Sequence, residues 1–323
     1  MTIASVATSR RFIGSLLVLL LPLTGFVSFT PTLLAQDTTA APDKLVRYRI
    51  KPSSIDPTVR EFDEPHYVVF APDVKADAPL LIFLPGTGGR PLNTSLFSNV
   101  AAEQGYRVIG LEYVDEPAVQ QICPRDPDPS CAEKVRRKRI FGEDATSTID
   151  DPPSQSIVAR LTKLLVALDH THPQDGWSRY LKNGQPDWPQ IAVSGLSQGA
   201  GMAAYIAQRT LVARVVLFSS PWDNYGRFHT LAPWVKRGNG ATPSDRWYAA
   251  YHERELTADI IPHAYAALKI PESHVHVFKL EPARRVSENP YHPSGVANGA
   301  TPRGPDGKPA YAADWRAMLG DVR

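Results

Sequence analysis

Ser197 stands in the run Gly195-Leu196-Ser197-Gln198-Gly199, preceded by Ile191-Ala192-Val193-Ser194 and followed by the small-residue stretch Ala200-Gly201-Met202-Ala203-Ala204. A hydroxyl with glycines two residues before and two after it suits a tight strand-to-helix turn, where a larger side chain at either glycine would block the crossing. Such a turn lifts the serine oxygen above the strand end and aims the first N–H groups of the following helix at any oxyanion that forms beside it. The chemistry so equipped is nucleophilic attack on an acyl carbon. A serine hydroxyl is a weak nucleophile, so a base must also reach it.

The elements that would hold this turn are legible as alternating apolar strands and amphipathic helices. Residues 45–50 and 66–70 read as two early strands, expected to pair antiparallel at one sheet edge. Leu80-Leu81-Ile82-Phe83-Leu84 is apolar throughout, as a central parallel strand covered on both faces should be, and Pro85-Gly86-Thr87-Gly88-Gly89 ends it abruptly. A helix with Leu96, Phe97, Val100 and Ala101 on one face precedes a strand over 107–111. Ile157, Leu161, Leu164, Leu165 and Leu168 predict a second helix, with Ser154 as its cap. After the serine turn come strands at 215–218, 247–251 and 275–278, with a helix at 263–268. Alternation of this kind implies a parallel sheet with right-handed crossovers, whose active groups gather at the carboxyl ends of the strands. Two long segments interrupt the pattern, about 115–153 and 219–245. Segments of that length inside a compact domain are usually functional or disordered, and 115–153 is the candidate lid.

The chain has 323 residues, 43% of them hydrophobic, enough to bury one sizeable core. Arg10 and Arg11 followed by the apolar run 12–29 and Leu33-Leu34-Ala35 read as an export signal over 1–35. Pro22, Gly25 and nearby hydroxyl residues disfavour a stable membrane anchor. Residues 36–43 read as a flexible leader and 44–323 as a single domain. Removal of 1–35, which holds two arginines and no acid, takes the formal charge from +2 to zero, and nothing calls for nucleic acid. The basic run Lys134 to Arg139 reads as a solvated loop face. Cys123 and Cys131 are the only cysteines, eight apart, and in an exported protein are expected to form one local disulfide. The glycine turn 86–89 lacks the Lys-Ser or Lys-Thr of a phosphate loop, so no nucleotide cofactor is implied.

Over residues 45–295 the chain resembles the α/β-hydrolase superfamily, in the glycine turn after an early strand, the G-x-S-x-G elbow, an acidic residue after a later strand and a histidine after the last. The closest likeness is to secreted bacterial members. The resemblance implies an α/β fold with a mostly parallel central sheet flanked by helices, and a Ser-His-acid triad acting without cofactor or metal. In that frame Ser197 is the nucleophile. His292, in Asn289-Pro290-Tyr291-His292-Pro293-Ser294, is the base, with His252 and His229 as alternatives; His274 and His276 alternate on the last strand and are expected to face out of the sheet. Glu255 best matches the offset at which relatives carry the acid, although they usually carry aspartate there. Asp223 is the alternative acid, with Glu253 and Asp259 as further rivals. The oxyanion donors would be the N–H of Gln198 and one from the 86–89 turn, at Thr87 or Gly88, to which the Gln198 side chain is also expected to bond. Trp222, Tyr225, Phe228, Trp234, Trp247 and Tyr248 would either line a pocket or cover the core.

The function expected on these grounds is an exported, periplasmic or secreted serine hydrolase that cleaves an ester or related acyl bond of a small molecule through an acyl-enzyme. A non-catalytic binding protein and an acyltransferase on the same scaffold are the alternatives.

Overall fold

A computed structural model describes residues 44–226 and 230–322. The expected signal segment and leader, together with Phe228 and His229, lie outside the described residues. Eight strands form the central sheet: β1 Val46–Ile50, β2 His66–Phe70, β3 Leu80–Leu84, β4 Arg107–Gly110, β5 Ile191–Leu196, β6 Arg214–Phe218, β7 Trp247–His252 and β8 Val275–Phe278. Their spatial order is β1-β2-β4-β3-β5-β6-β7-β8. Only β2 runs against its neighbours, pairing antiparallel with β1 and β4, while β3 to β8 are parallel. This is the α/β-hydrolase architecture.

Among the described residues, six helices of seven residues or more flank the sheet: α1 Ser95–Glu103, α2 Cys131–Phe141, α3 Ile157–Thr171, α4 Gln198–Arg209, α5 Ile261–Ala267 and α6 Ala312–Leu319. The apolar run of β3 divides between two cores. Leu80, Ile82 and Leu84 join α2, α3, α4 and α5 on one face; Leu81 and Phe83 join α1 and α6 on the other. All five are fully buried, each such side chain contributing about 1.5–3 kcal/mol of transfer free energy. A strand with both faces covered must read as continuously apolar, and this one does.

Two expectations need correction. The basic run of the 115–153 segment is not a solvated loop face: it forms α2, in which Arg136 and Arg139 are each 1% exposed. A guanidinium so buried requires a partner, and Arg136 pairs with Asp223 while Arg139 pairs with Asp151. Val119, Val135 and Ile140 of the same segment enter the main core, and Cys123 and Cys131 are bonded to each other across a Cα separation of 5.5 Å. The cap of α3 is Ser156, whose hydroxyl accepts from Ala159 N–H at 3.2 Å, rather than Ser154. Helix α6 extends the fold past the last strand, its Trp315 packed edge-on to Phe97 of α1 at 5.7 Å. Among the described residues, no helix is long and apolar enough to cross a membrane.

Candidate active site

Ser197 joins β5 to α4 with φ 55° and ψ −122°, a conformation that costs a non-glycine residue about 1–3 kcal/mol. The surroundings enforce it. Ser197 N–H donates to Phe218 O on β6 at 2.9 Å, and Ser197 O accepts from Gly201 N–H at 3.1 Å. A methyl group on Gly199 would sit 2.0 Å from Leu84 O, and one on Gly195 would sit 2.4 Å from the carbonyl carbon of Gly199. Strand and helix can therefore cross this closely only with glycine at both places.

His292 and Glu255 come together directly, with His292 Nδ1 2.5 Å from Glu255 Oε2. The Glu255 side chain is fully buried and that of His292 is 18% exposed. Three further donors fix the carboxylate: Ser219 Oγ at 2.9 Å, His252 N–H at 3.1 Å and Thr257 Oγ1 at 3.3 Å. Ser219 follows β6 directly, and its single O–H is shared between Glu255 and His292 O, the latter 3.1 Å away. That one hydroxyl ties the histidine loop and the acid to the end of the strand whose carbonyl holds Ser197. Among the described residues Ser197 Oγ makes no hydrogen bond, so the serine and the imidazole are not bonded to each other in this structure.

The rival assignments have other partners. Asp223 accepts from Arg136 Nε at 2.7 Å and Nη2 at 2.6 Å and from Trp234 Nε1 at 2.8 Å, and bonds to no histidine among the described residues. Glu253 is exposed and lies 3.6 Å from Lys279 Nζ, and Asp259 is exposed. His252 is buried with both ring nitrogens engaged, by Leu280 O at 3.0 Å and Arg254 N–H at 3.0 Å. His276 does not simply face out but meets Asp314 Oδ1 at 2.9 Å, and His274 lies 3.0 Å from Trp247 O and stacks on Tyr248. Trp234 and Trp247 belong to the core, whereas Trp222 lines the pocket beside Ser197.

At the rim, the first N–H groups of α4 have no intrahelical acceptor, so that of Gln198 is open to an oxyanion. A methyl on Gly86 would come within 3.1 Å of Ser197 Cβ, which places Gly86 of the 86–89 turn against that serine. Thr87 lines the same pocket as Ser197 and Gln198. Gly88 lines a different pocket, together with Glu112, Asp115 and Glu116. The Gln198 side chain also departs from expectation. It bonds to the 115–119 segment, accepting from Val119 N–H at 2.7 Å and donating to Asp115 O. Sequence reading missed Asp115; an acidic residue just after β4, on the carboxyl edge, was the available signal.

Asp115 sits in an acidic pocket with Glu112, Glu116 and Glu64. Burial, and then the charge of Glu116, push its carboxyl up to about 7. Glu112, only 4% exposed, is pushed up to about 8 by burial and by Asp115, against the opposing pull of Arg160. A carboxyl with a raised folded-state pKa holds its proton better folded than unfolded. Its stabilising contribution is therefore greatest below the unfolded pKa and is lost as pH rises through the folded value. Glu112→Gln should accordingly be more stable relative to the native chain at pH 8 than at pH 5, by on the order of 1–3 kcal/mol, since one pKa unit is worth about 1.4 kcal/mol. Urea unfolding of both proteins at the two pH values measures this; an equal difference at both would reject it.

Among protein-family models and curated proteins, none matches the chain. Solved structures do. A bacterial heroin esterase is 16% identical, with a TM-score of 0.45 over 86% of this chain and 84% of that one. An esterase from the bacterial hormone-sensitive lipase family is 17% identical, with a TM-score of 0.44 over 86% of each chain. A thermophilic esterase from the Planctomycetes species Thermogutta terrifontis is 12% identical, with a TM-score of 0.38 over 72% of this chain and 81% of that one. The sheet order, with β2 alone reversed and a strained serine between the fifth strand and its helix, makes this chain an α/β-hydrolase in fold.

Proposed function

We propose that this protein is a serine hydrolase that cleaves an ester or related acyl bond of a small molecule, using Ser197, His292 and Glu255 as its triad. The observation that carries the reading is the 2.5 Å contact between His292 Nδ1 and a fully buried Glu255 carboxylate, anchored through Ser219 to the strand beside the strained serine. A structural ion pair would not need to stand at the carboxyl edge of the sheet next to a nucleophile elbow.

In this mechanism His292 Nε2 closes on Ser197 Oγ and takes its proton as the oxygen attacks the acyl carbon. Glu255 accepts the Nδ1–H, keeps the ring in the tautomer that leaves Nε2 free, and stabilises the imidazolium. The N–H groups of Gln198 and Thr87 receive the oxyanion of the tetrahedral intermediate. Collapse breaks the bond to the alcohol, which leaves with the proton from His292. Water, deprotonated by the same nitrogen, then releases the acid and restores Ser197. The scheme uses neither cofactor nor metal. Export follows from the arginine-led apolar segment 1–35, ahead of a leader over 36–43 and a domain over 44–323, and the bonded pair Cys123–Cys131 suits an oxidising compartment.

A fluorophosphonate reagent should form a stable adduct on Ser197 of the folded protein, located by peptide mass spectrometry and lost in Ser197→Ala. No adduct on folded protein would favour a binding protein that has kept the scaffold without the chemistry. Product analysis with an added alcohol separates the acyltransferase: a hydrolase passes the acyl group mainly to water.

A further inference from the structure

The pocket beside Ser197 has a volume of about 210 Å³ and is lined by Thr87, Gln198, Trp222, Arg136 and Asp223 together with residues 118–121. That is below the 300–1,000 Å³ or so of pockets for drug-sized ligands, so it fits a short group. His292, which hands its proton to the departing alcohol in the proposed mechanism, lies outside this lining. The pocket is therefore on the acyl side.

Its buried wall carries the Arg136–Asp223 pair, whose side chains are 1% and 2% exposed. Asp223 is saturated. Arg136 Nε and Nη2, Trp234 Nε1 at 2.8 Å and Gln120 Nε2 at 3.3 Å supply four donors for the four or so acceptor positions of a carboxylate. The third guanidinium nitrogen, Nη1, is turned away from Asp223 and, among the described residues, is buried without a hydrogen-bond partner. Buried donors of this kind are rare and ask for an explanation. The guanidinium has little freedom to find a partner elsewhere. It lies over the Trp234 ring at 5.2 Å, and a methyl group on Gly201 of α4 would come within 2.2 Å of Nη2. Gly201 thus leaves, inside the nucleophile's own helix and at a cost of about 1 kcal/mol relative to alanine, the space that the guanidinium occupies.

We propose that Arg136 is a specificity-determining residue, its Nη1 donating to an oxygen on the acyl chain, so that the preferred substrates are esters of short, uncharged, oxygen-bearing acids of the hydroxy-, keto- or alkoxy-acyl class. This rests on the hydrolase reading above. The guanidinium supplies donors and no acceptor, which selects an oxygen that accepts. Its charge is already balanced by Asp223, so an anionic acyl group would place a second negative charge in the pocket without a second cation, a costly arrangement.

Matched p-nitrophenyl esters test it: butyrate against methoxyacetate, which replaces one methylene by an ether oxygen at nearly constant size. After division by the hydroxide-catalysed rate of each ester, kcat/KM should favour methoxyacetate by about tenfold or more, the size expected for a hydrogen bond from a charged donor. In the double variant Arg136→Met, Asp223→Leu, which removes the pair together and strands no charge, that ratio should fall to within about twofold of unity. Cleavage of both esters by the native protein with a normalised ratio near one overturns the inference and leaves the hydrolase reading standing. A preference that survives in the double variant overturns the role of Arg136. Cleavage of neither ester, with no fluorophosphonate adduct, overturns both readings. Should the double variant fail to fold, Arg136→Lys, which keeps a cation beside Asp223 but has no guanidinium fork, should bring the ratio down in its place, and an unchanged ratio overturns the role of Arg136.

Discussion

Glu255→Gln is expected to lower kcat on p-nitrophenyl esters by about four orders of magnitude, the loss seen when the acid of a Ser-His-acid triad becomes its amide, with KM little changed. The amide can offer its N–H₂ to His292 Nδ1 and so stabilise the tautomer that blocks proton uptake at Nε2. It also removes the negative charge that offsets the imidazolium. The change is nearly isosteric in a site where Ser219, His252 N–H and Thr257 already bond the carboxylate, so far-UV circular dichroism should be unaffected. His292→Ala should abolish turnover equally, while Asp223→Asn, set among Arg136, Trp234 and Gln120, should act first on stability. A Glu255→Gln protein that retains more than a tenth of native kcat would show that the acid is elsewhere.

Arg139→Ala should destabilise the fold by about 3–5 kcal/mol in urea unfolding, the range for removing one member of a buried ion pair. Arg139 Nε donates to Asp151 at 2.7 Å and Nη2 to the same carboxylate at 3.4 Å. Nη1 reaches Pro117 O at 2.9 Å and Nη2 also reaches Glu116 O at 3.3 Å. Truncation would strand a carboxylate that is 6% exposed and free two carbonyls at the start of the segment that holds Gln198. Activity should fall along with stability, because Gln198 carries one of the proposed oxyanion donors. A loss under about 1 kcal/mol would put this pair in the class of surface ion pairs.

Sequence made some of this legible and hid the rest for physical reasons. The Ser197 turn was visible because its steric demand is local: Gly195, Gly199 and the apolar residues around them all lie within a few positions. Strand β3 was visible because burial on both faces leaves no polar position. The pairing of Glu255 with His292 spans 37 positions and is created by the sheet, so the sequence left several carboxylates in competition. Arg136 and Arg139 were misread because a run of basic residues looks solvated unless its partners are known. One of those partners, Asp223, is 87 positions away. Helix α6 escaped notice because only Trp315, Met318 and Leu319 mark its buried stripe, too short a signal to separate from a loop.

The double attachment of Gln198 to Asp115 and Val119 bears on how substrate arrives. A flap that swung the 115–153 segment outward would tear these two bonds and drag on the helix end from which the oxyanion donor projects. The segment is also stapled by Cys123–Cys131 and shares the main core through Val135 and Ile140. It is built as a fixed wall of the pocket beside Ser197, so in the proposed mechanism an ester would reach the serine through a standing entrance rather than past a moving gate.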